Sequence, residues 1–268
     1  MIRRPAPTFV AALLLAAHAG ADDRTGTAAI EQQLRTLLVR SPYRIPDTAR
    51  AGKIRYQVQL RDGEWAWPET AEQHVERHGD TIELTICGDC GREAPPDPAQ
   101  LERYREPNAW VQSRDRHVVA FAHTAKGRSV DARMHSLVLA VQKHMTGAID
   151  FTSYRSATQA LDSRGGDCTE FAVLLAAAAR ARGIPTRVVA GLSYASRFLD
   201  RPHAFVPHMW VQAWDGTQWT SYDAALGDFD AAHIAIAIGD GSPDSLRGTM
   251  ETIAKLRIVD VVGIATAP

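Results

Sequence analysis

The sequence predicts an α+β fold. Helix-periodic apolar runs occupy the middle of the chain, and runs that read as an antiparallel sheet follow them. A shorter pair of strictly alternating runs precedes the helices, and no internal repeat is visible. Composition agrees with a folded globular chain: 268 residues, 45% apolar and 23% charged. That length allows one large domain, or one ordinary domain with a small companion.

The chain opens with Arg3 and Arg4, an apolar stretch from Phe9 to Ala17, and small residues at Ala17, Ala19 and Ala21. This is the pattern of a secretory leader over 1–21, followed by a soluble exported protein, periplasmic or secreted. No apolar run is long enough for a membrane span. Thirty basic and 31 acidic residues give a net charge of −1, which becomes −3 once Arg3 and Arg4 are removed. Such a chain has no field to hold a polyanion, so nucleic acid is not an expected partner.

Residues 28–39 suit a helix, with Ile30, Leu34, Leu37 and Leu38 on one side, ended by Pro42 and Pro46. Residues 53–61 alternate, with Ile54, Tyr56, Val58 and Leu60 on one side of a half-buried strand. Asp62-Gly63 is a turn, and 81–86 alternates again. The expected organisation is therefore a β-rich N-terminal unit over 22–98, closed by the Pro-rich stretch 94–98, and a second domain over 99–268.

In that second part Ser129 can cap a helix carrying Met134, Leu137, Val138, Val141 and Met145. A short helix fits 157–161. Gly165-Gly166 breaks the chain. Asp167 and Glu170 then bracket Cys168 as a capping box for an apolar helix that ends at Gly183, with Pro185 beyond. Strand-like runs follow at 186–194, 209–214, 218–223, 234–238 and 256–262.

Three cysteines in an exported chain suggest one pair and one free thiol. Cys87 and Cys90 make the simplest pair, as a local disulfide. A redox CxxC lacks the following helix that such motifs use. Zinc is a further alternative, because His74 and His78 precede the pair. Cys168 is then the free thiol. A helix N-terminus favours its thiolate, whereas Asp167 and Glu170 oppose it, so a nearby histidine decides its reactivity.

Asp215-Gly216 is a strong hairpin signal. A two-residue loop would set His208 directly opposite Asp223, and a four-residue loop would make them diagonal neighbours on one face. Either way a carboxylate orients one ring nitrogen and leaves the other free to take a thiol proton. The alternative for each residue is structural: a packed core cysteine, a strand histidine, a strand-ending aspartate.

The stretches Gly165–Ala172, Arg182–Val189, His208–Trp210 and Trp219–Asp223 resemble the transglutaminase-like superfamily, with the sharpest likeness over 160–225. The resemblance implies a papain-like core, a Cys-His-Asp triad formed by Cys168, His208 and Asp223, and acyl transfer or hydrolysis through a thioester on protein or peptide amides. The Cys168 N–H is an expected oxyanion donor. For the second donor, papain relatives imply a Gln and animal relatives a Trp; Gln159 and Trp110 are present without a matching motif. Trp210 is a candidate cleft wall, as is Trp214, against plain packing. No calcium loop is apparent, and no cofactor or metal is implied. The alternative function is a non-enzymatic binding or adaptor module that keeps the fold.

Overall fold

The computed structural model describes residues 31–32, 34–147 and 154–263. The expected leader lies outside them. The chain divides into two compact units, 1–35 and 36–268. Of the first, residues 31, 32, 34 and 35 are described, and they are helical.

The second unit is α+β. Its larger sheet runs β1 (Val39–Arg40), β8 (Arg201–Trp214), β7 (Thr186–Phe198), β10 (His233–Gly239), with β9 (Trp219–Tyr222) also paired to β8. All of these pairings are antiparallel. A four-stranded sheet runs β11 (Leu256–Val262), β2 (Ile54–Leu60), β4 (Thr81–Ile86), β3 (Gln73–His78). The alternation read in 53–61 and 81–86 is met: Ile54, Tyr56 and Val58 and then Ile82, Leu84 and Ile86 are buried. The fourth strand of this sheet, β11, comes from the far end of the sequence and pairs with β2.

Seven helices are described in this unit: α1 (Asp47–Arg50), α2 (Pro98–Arg103), α3 (Arg116–Ala122), α4 (Val130–His144), α5 (Ala157–Ser163), α6 (Cys168–Ala181) and α7 (Thr249–Lys255). The Ser129 hydroxyl accepts the Ala132 N–H and starts α4. α6 begins at the predicted capping box and ends beside Gly183, whose φ of +74° suits glycine. A short parallel pair, β5 (Thr146–Gly147) with β6 (Gly165–Gly166), sits just ahead of α6. Helices α2, α3 and α7 and strand β3 are short or lack a clear apolar period, and the sequence pattern does not predict them.

Inward residues of β7 change partners along its length. Val188 and Ala190 pack with Met209, Val211 and Ala213 of β8 against the helices, around Phe171, Leu174 and Leu175. Two and four residues further on, Leu192 and Tyr194 join Phe205 and Ile234 against Tyr56, Leu84 and Ile258 of the smaller sheet. A period of two keeps these four β7 residues on one side, so one strand spans both cores.

Candidate active site

Asp167 ends its extended stretch with its side chain accepting the Thr169 N–H at 2.8 Å. Glu170 returns to accept the Asp167 N–H at 3.0 Å and the Arg155 N–H at 2.9 Å. Gly166 permits this fold-back: a Cβ there would lie 2.5 Å from the Glu170 Cβ. Cys168 is therefore the first residue of α6, and its own N–H belongs to the outward-pointing amides of the first turn.

The hairpin register resolves the loop length. Trp214 pairs with Trp219 and Val211 with Tyr222, so the turn has four residues rather than two. Asp215 organises it, its carboxylate accepting the Thr217 and Gln218 N–H groups at 2.7 and 2.9 Å. His208 and Asp223 are thus not directly opposite, yet His208 Nε2 lies 2.6 Å from Asp223 Oδ2. Asp223 follows β9 and turns back, its Oδ1 accepting the Ala225 and Leu226 N–H groups at 2.7 and 3.0 Å.

The edge of β8 opposite β7 is only partly covered. β1 pairs at Ala204 and Phe205, and β9 pairs from Val211 to Trp214. Residues 206–210 between them have no strand partner on that edge among the described residues. Pro207, which lacks an N–H, is tolerated at such an edge. The Met209 N–H faces the Cys168 thiol and favours its thiolate. This contact puts the thiol beside the residue that follows His208. With Nε2 committed to Asp223, Nδ1 is the ring nitrogen available to a thiol proton.

Cys168 is the free cysteine and is half-buried. Burial pushes its thiol well above the usual range, as do the charges of Asp167, Asp223 and Glu170, while the Met209 N–H acts in the opposite sense. The resting site therefore favours a thiol over a thiolate. Asp167 is raised to about 7, first by burial and then by Glu170, and its Oδ2 is buried with no hydrogen-bond partner among the described residues. Burial alone would raise Asp223, but His208 and His233 outweigh it and hold the carboxyl well below its ordinary range.

His233 is the site residue that sequence reasoning missed. It is 3% exposed at the start of β10. Its Nε2 lies 3.2 Å from Asp223 Oδ2, the oxygen that also meets His208, and its Nδ1 lies 3.0 Å from Asp230 Oδ1. Burial disfavours its cation, yet these carboxylates raise it to about 9. A lone histidine before an apolar run is an ordinary strand start, and only the β7–β10 pairing brings it to Asp223.

Donor atoms of His208, Asp223 and His233 lie within 4.8 Å of one another. In a tetrahedral site with bonds of about 2.0–2.1 Å, donors stand about 3.3 Å apart. The 2.6 Å between His208 and Asp223 is instead a short hydrogen bond.

The other candidates fall elsewhere. Gln159 is exposed on α5, its Oε1 accepting the Ser156 N–H at 2.9 Å as part of a capping box. Trp110 packs edge-on to Tyr154 at 5.1 Å. Trp210 is 1% exposed and stacks beside His208 at 6.1 Å, while its indole N–H donates to Ser221. It backs the histidine rather than walling an open cleft. Trp214 packs on Trp219 at 5.7 Å. Cys87 and Cys90 lie at disulfide distance with Cα atoms 5.7 Å apart. His74 is bonded to Glu69 and Glu76, so it does not join them in a zinc set.

Residues 122–224 match the model of the transglutaminase-like superfamily, a span that holds Cys168, His208 and Asp223. That segment is similar to the core of this superfamily. Among solved structures it is similar to a Cytophaga hutchinsonii protein described as a "putative cysteine protease", with 16% identity over 78% of this chain and 85% of that one, at a TM-score of 0.48. It is similar as well to the periplasmic domain of TgpA from Pseudomonas aeruginosa, with 16% identity over 74% and 95% of the two chains and a TM-score of 0.47. A red sea bream transglutaminase aligns with 12% identity over 72% and 49%, at 0.36. A comparison with curated proteins finds no match. Among the described residues no helix is long and apolar enough to cross a membrane.

Proposed function

We propose that the protein is an exported thiol enzyme acting on protein or peptide amides, with Cys168 as nucleophile, His208 as general base and acid, and Asp223 as the group that orients His208. The observation that carries this reading is the 2.6 Å His208–Asp223 bond, formed one residue before Met209, whose N–H favours the Cys168 thiolate. The expected leader and the Cys87–Cys90 pair support an oxidising, exported setting.

The resting thiol supports a coupled first step. His208 Nδ1 takes the Cys168 proton as sulfur attacks the carbonyl carbon. The carbonyl electrons move to oxygen, where the Cys168 N–H is a donor at the helix start. As the carbonyl re-forms, the C–N bond breaks and the imidazolium gives its proton to the departing nitrogen. The resulting thioester is then opened by water in hydrolysis or by an amine in transfer, with His208 again accepting a proton.

The test is a thiol probe of wild type and of His208→Ala, followed by peptide libraries and product mass. Selective labelling of Cys168 near neutral pH that needs His208 supports the reading, and labelling independent of His208 overturns it. Product mass separates hydrolysis, which adds water, from transfer, which adds the amine. The strongly raised thiol favours a second reading, a binding or adaptor module without turnover. A Cys168→Ala protein that matches wild type in a cellular assay would support that one.

A further inference from the structure

Asp223 Oδ2 is approached by two imidazoles, and only one of them has a place in the proposed reaction. His208 Nε2 comes to 2.6 Å and His233 Nε2 to 3.2 Å. The ring centroids of the two histidines are 5.6 Å apart. The remaining nitrogen of His233 faces a second carboxylate, Asp230 Oδ1, at 3.0 Å. Carboxylate oxygens accept hydrogens and have none to give when ionised, so a hydrogen on each His233 nitrogen satisfies both carboxylates; the Asp230 N–H also lies 3.3 Å from Nδ1. Asp230 is itself fixed, 3.0 Å from Arg50 Nε. The ring is closed in by Trp210, edge-on at 5.3 Å, and by Phe229 at 5.2 Å. The ring is buried and has little room to turn.

We propose that His233 is a positioning residue for the reaction: held by Asp230, it donates to Asp223 and clamps that carboxylate in the orientation that receives His208. The proposal rests on the thiol-enzyme reading above. Asp223 alone is held by two backbone N–H groups on Oδ1. Those fix one oxygen and leave Oδ2 to be aimed. A second donor on Oδ2, approaching from the β10 side, restricts its swing and spreads its negative charge over two hydrogen bonds. His233 touches neither the thiol nor a substrate. Its effect must pass through Asp223.

The test measures the rate of Cys168 alkylation by iodoacetamide at pH 7 in wild type, His208→Ala, Asp223→Asn, His233→Ala, His233→Gln and the double variant Asp223→Asn with His233→Ala. His233→Ala should slow alkylation about tenfold, the scale of one charged hydrogen bond. His233→Gln should lose less, because an amide can still donate to Asp223. The double variant should be no slower than Asp223→Asn alone, because both changes act on one interaction. Multiplying losses in the double variant, or a wild-type rate in both His233 variants, overturns the proposal while leaving the thiol-enzyme reading intact. If His208→Ala already alkylates at the wild-type rate, the thiol-enzyme reading itself falls, and this proposal with it. His233→Gln keeps the test decisive if His233→Ala does not fold.

Discussion

Glu72 and Ser221 are joined twice. The Ser221 N–H donates to Glu72 Oε1 at 2.9 Å, and the Ser221 hydroxyl donates to Oε2 of the same carboxylate. Gln212 Nε2 donates to that second oxygen at 3.0 Å. A buried side chain just ahead of β3 thereby pins both strands of the hairpin that leads to His208 and Asp223.

Breaking that tie should cost stability before it costs chemistry. Glu72→Ala leaves the Ser221 N–H and hydroxyl buried without this acceptor and Gln212 Nε2 with only Ser221 Oγ at 3.2 Å, a loss of about 2–4 kcal/mol. Urea unfolding followed by tryptophan fluorescence should show it, with Glu72→Gln intermediate. An unchanged midpoint in Glu72→Ala would mean that the tie contributes nothing.

Asp223→Asn keeps the size of the side chain but removes its charge and lets an amide face His208. Turnover of a peptide substrate should fall on the order of 10²-fold or more. The melting temperature should change far less. Turnover within a factor of two of wild type would remove Asp223 from the mechanism.

Asp167 sits next to Cys168, and its charge opposes a thiolate there. Because Asp167 is itself raised to about 7 by burial and then by Glu170, that opposition grows as pH rises through neutrality. Asp167→Asn should therefore leave Cys168 alkylation nearly unchanged at pH 5.5 and speed it several-fold at pH 8.5. Equal rates at both values would contradict the coupling.

The pairing of His233 with Asp223 and Asp230 also fixes a pH dependence. A folded value of about 9 lies above the unfolded value of about 6.5. Its contribution is therefore complete below about pH 6.5 and is lost as pH rises through 9, at most about 3 kcal/mol across that window. Asp223 is depressed, so its contribution is present above about pH 4 and fades as pH falls further. Melting curves should be highest between pH 4 and 6.5. In His233→Gln the decline from 6.5 to 9 should flatten, and a parallel decline would assign it to other groups.

Only one cysteine should react in the folded, unreduced protein. Intact mass should be 2 Da below the reduced value, and alkylation should fall on Cys168. The Cys87–Cys90 loop is short, so Cys87→Ser should cost about 2 kcal/mol or less. One bound zinc per chain would replace the disulfide reading.

Local signals in the sequence carried the parts of the site that local signals build. Asp167 and Glu170 announce the start of α6 because a capping box is a contact across three residues. His208 and Asp223 could be linked because a hairpin relates them through one turn, although Asp215 closes four residues where Asp-Gly suggested two. The gap in the β8 edge was invisible, since it depends on where β1 and β9 stop pairing. His233 was invisible for the same reason: its neighbour Asp223 is supplied by the strand order of the sheet, not by spacing. Gln159 misled as an isolated polar residue, whereas its position three residues after Ser156 marks a cap. β11 reads clearly as a strand, but nothing in its pattern tells which sheet it completes.

That last pairing has a consequence for how the protein comes to exist. β2 and β11 lie at opposite ends of the described chain and are joined along Arg55 to Leu60. A chain emerging from its N-terminus exposes β2 long before its partner is made. The smaller sheet must wait with one edge open, and the core it shares with β7, β8 and β10 waits with it. A chain released before Leu256–Val262 is made would therefore lack a completed core.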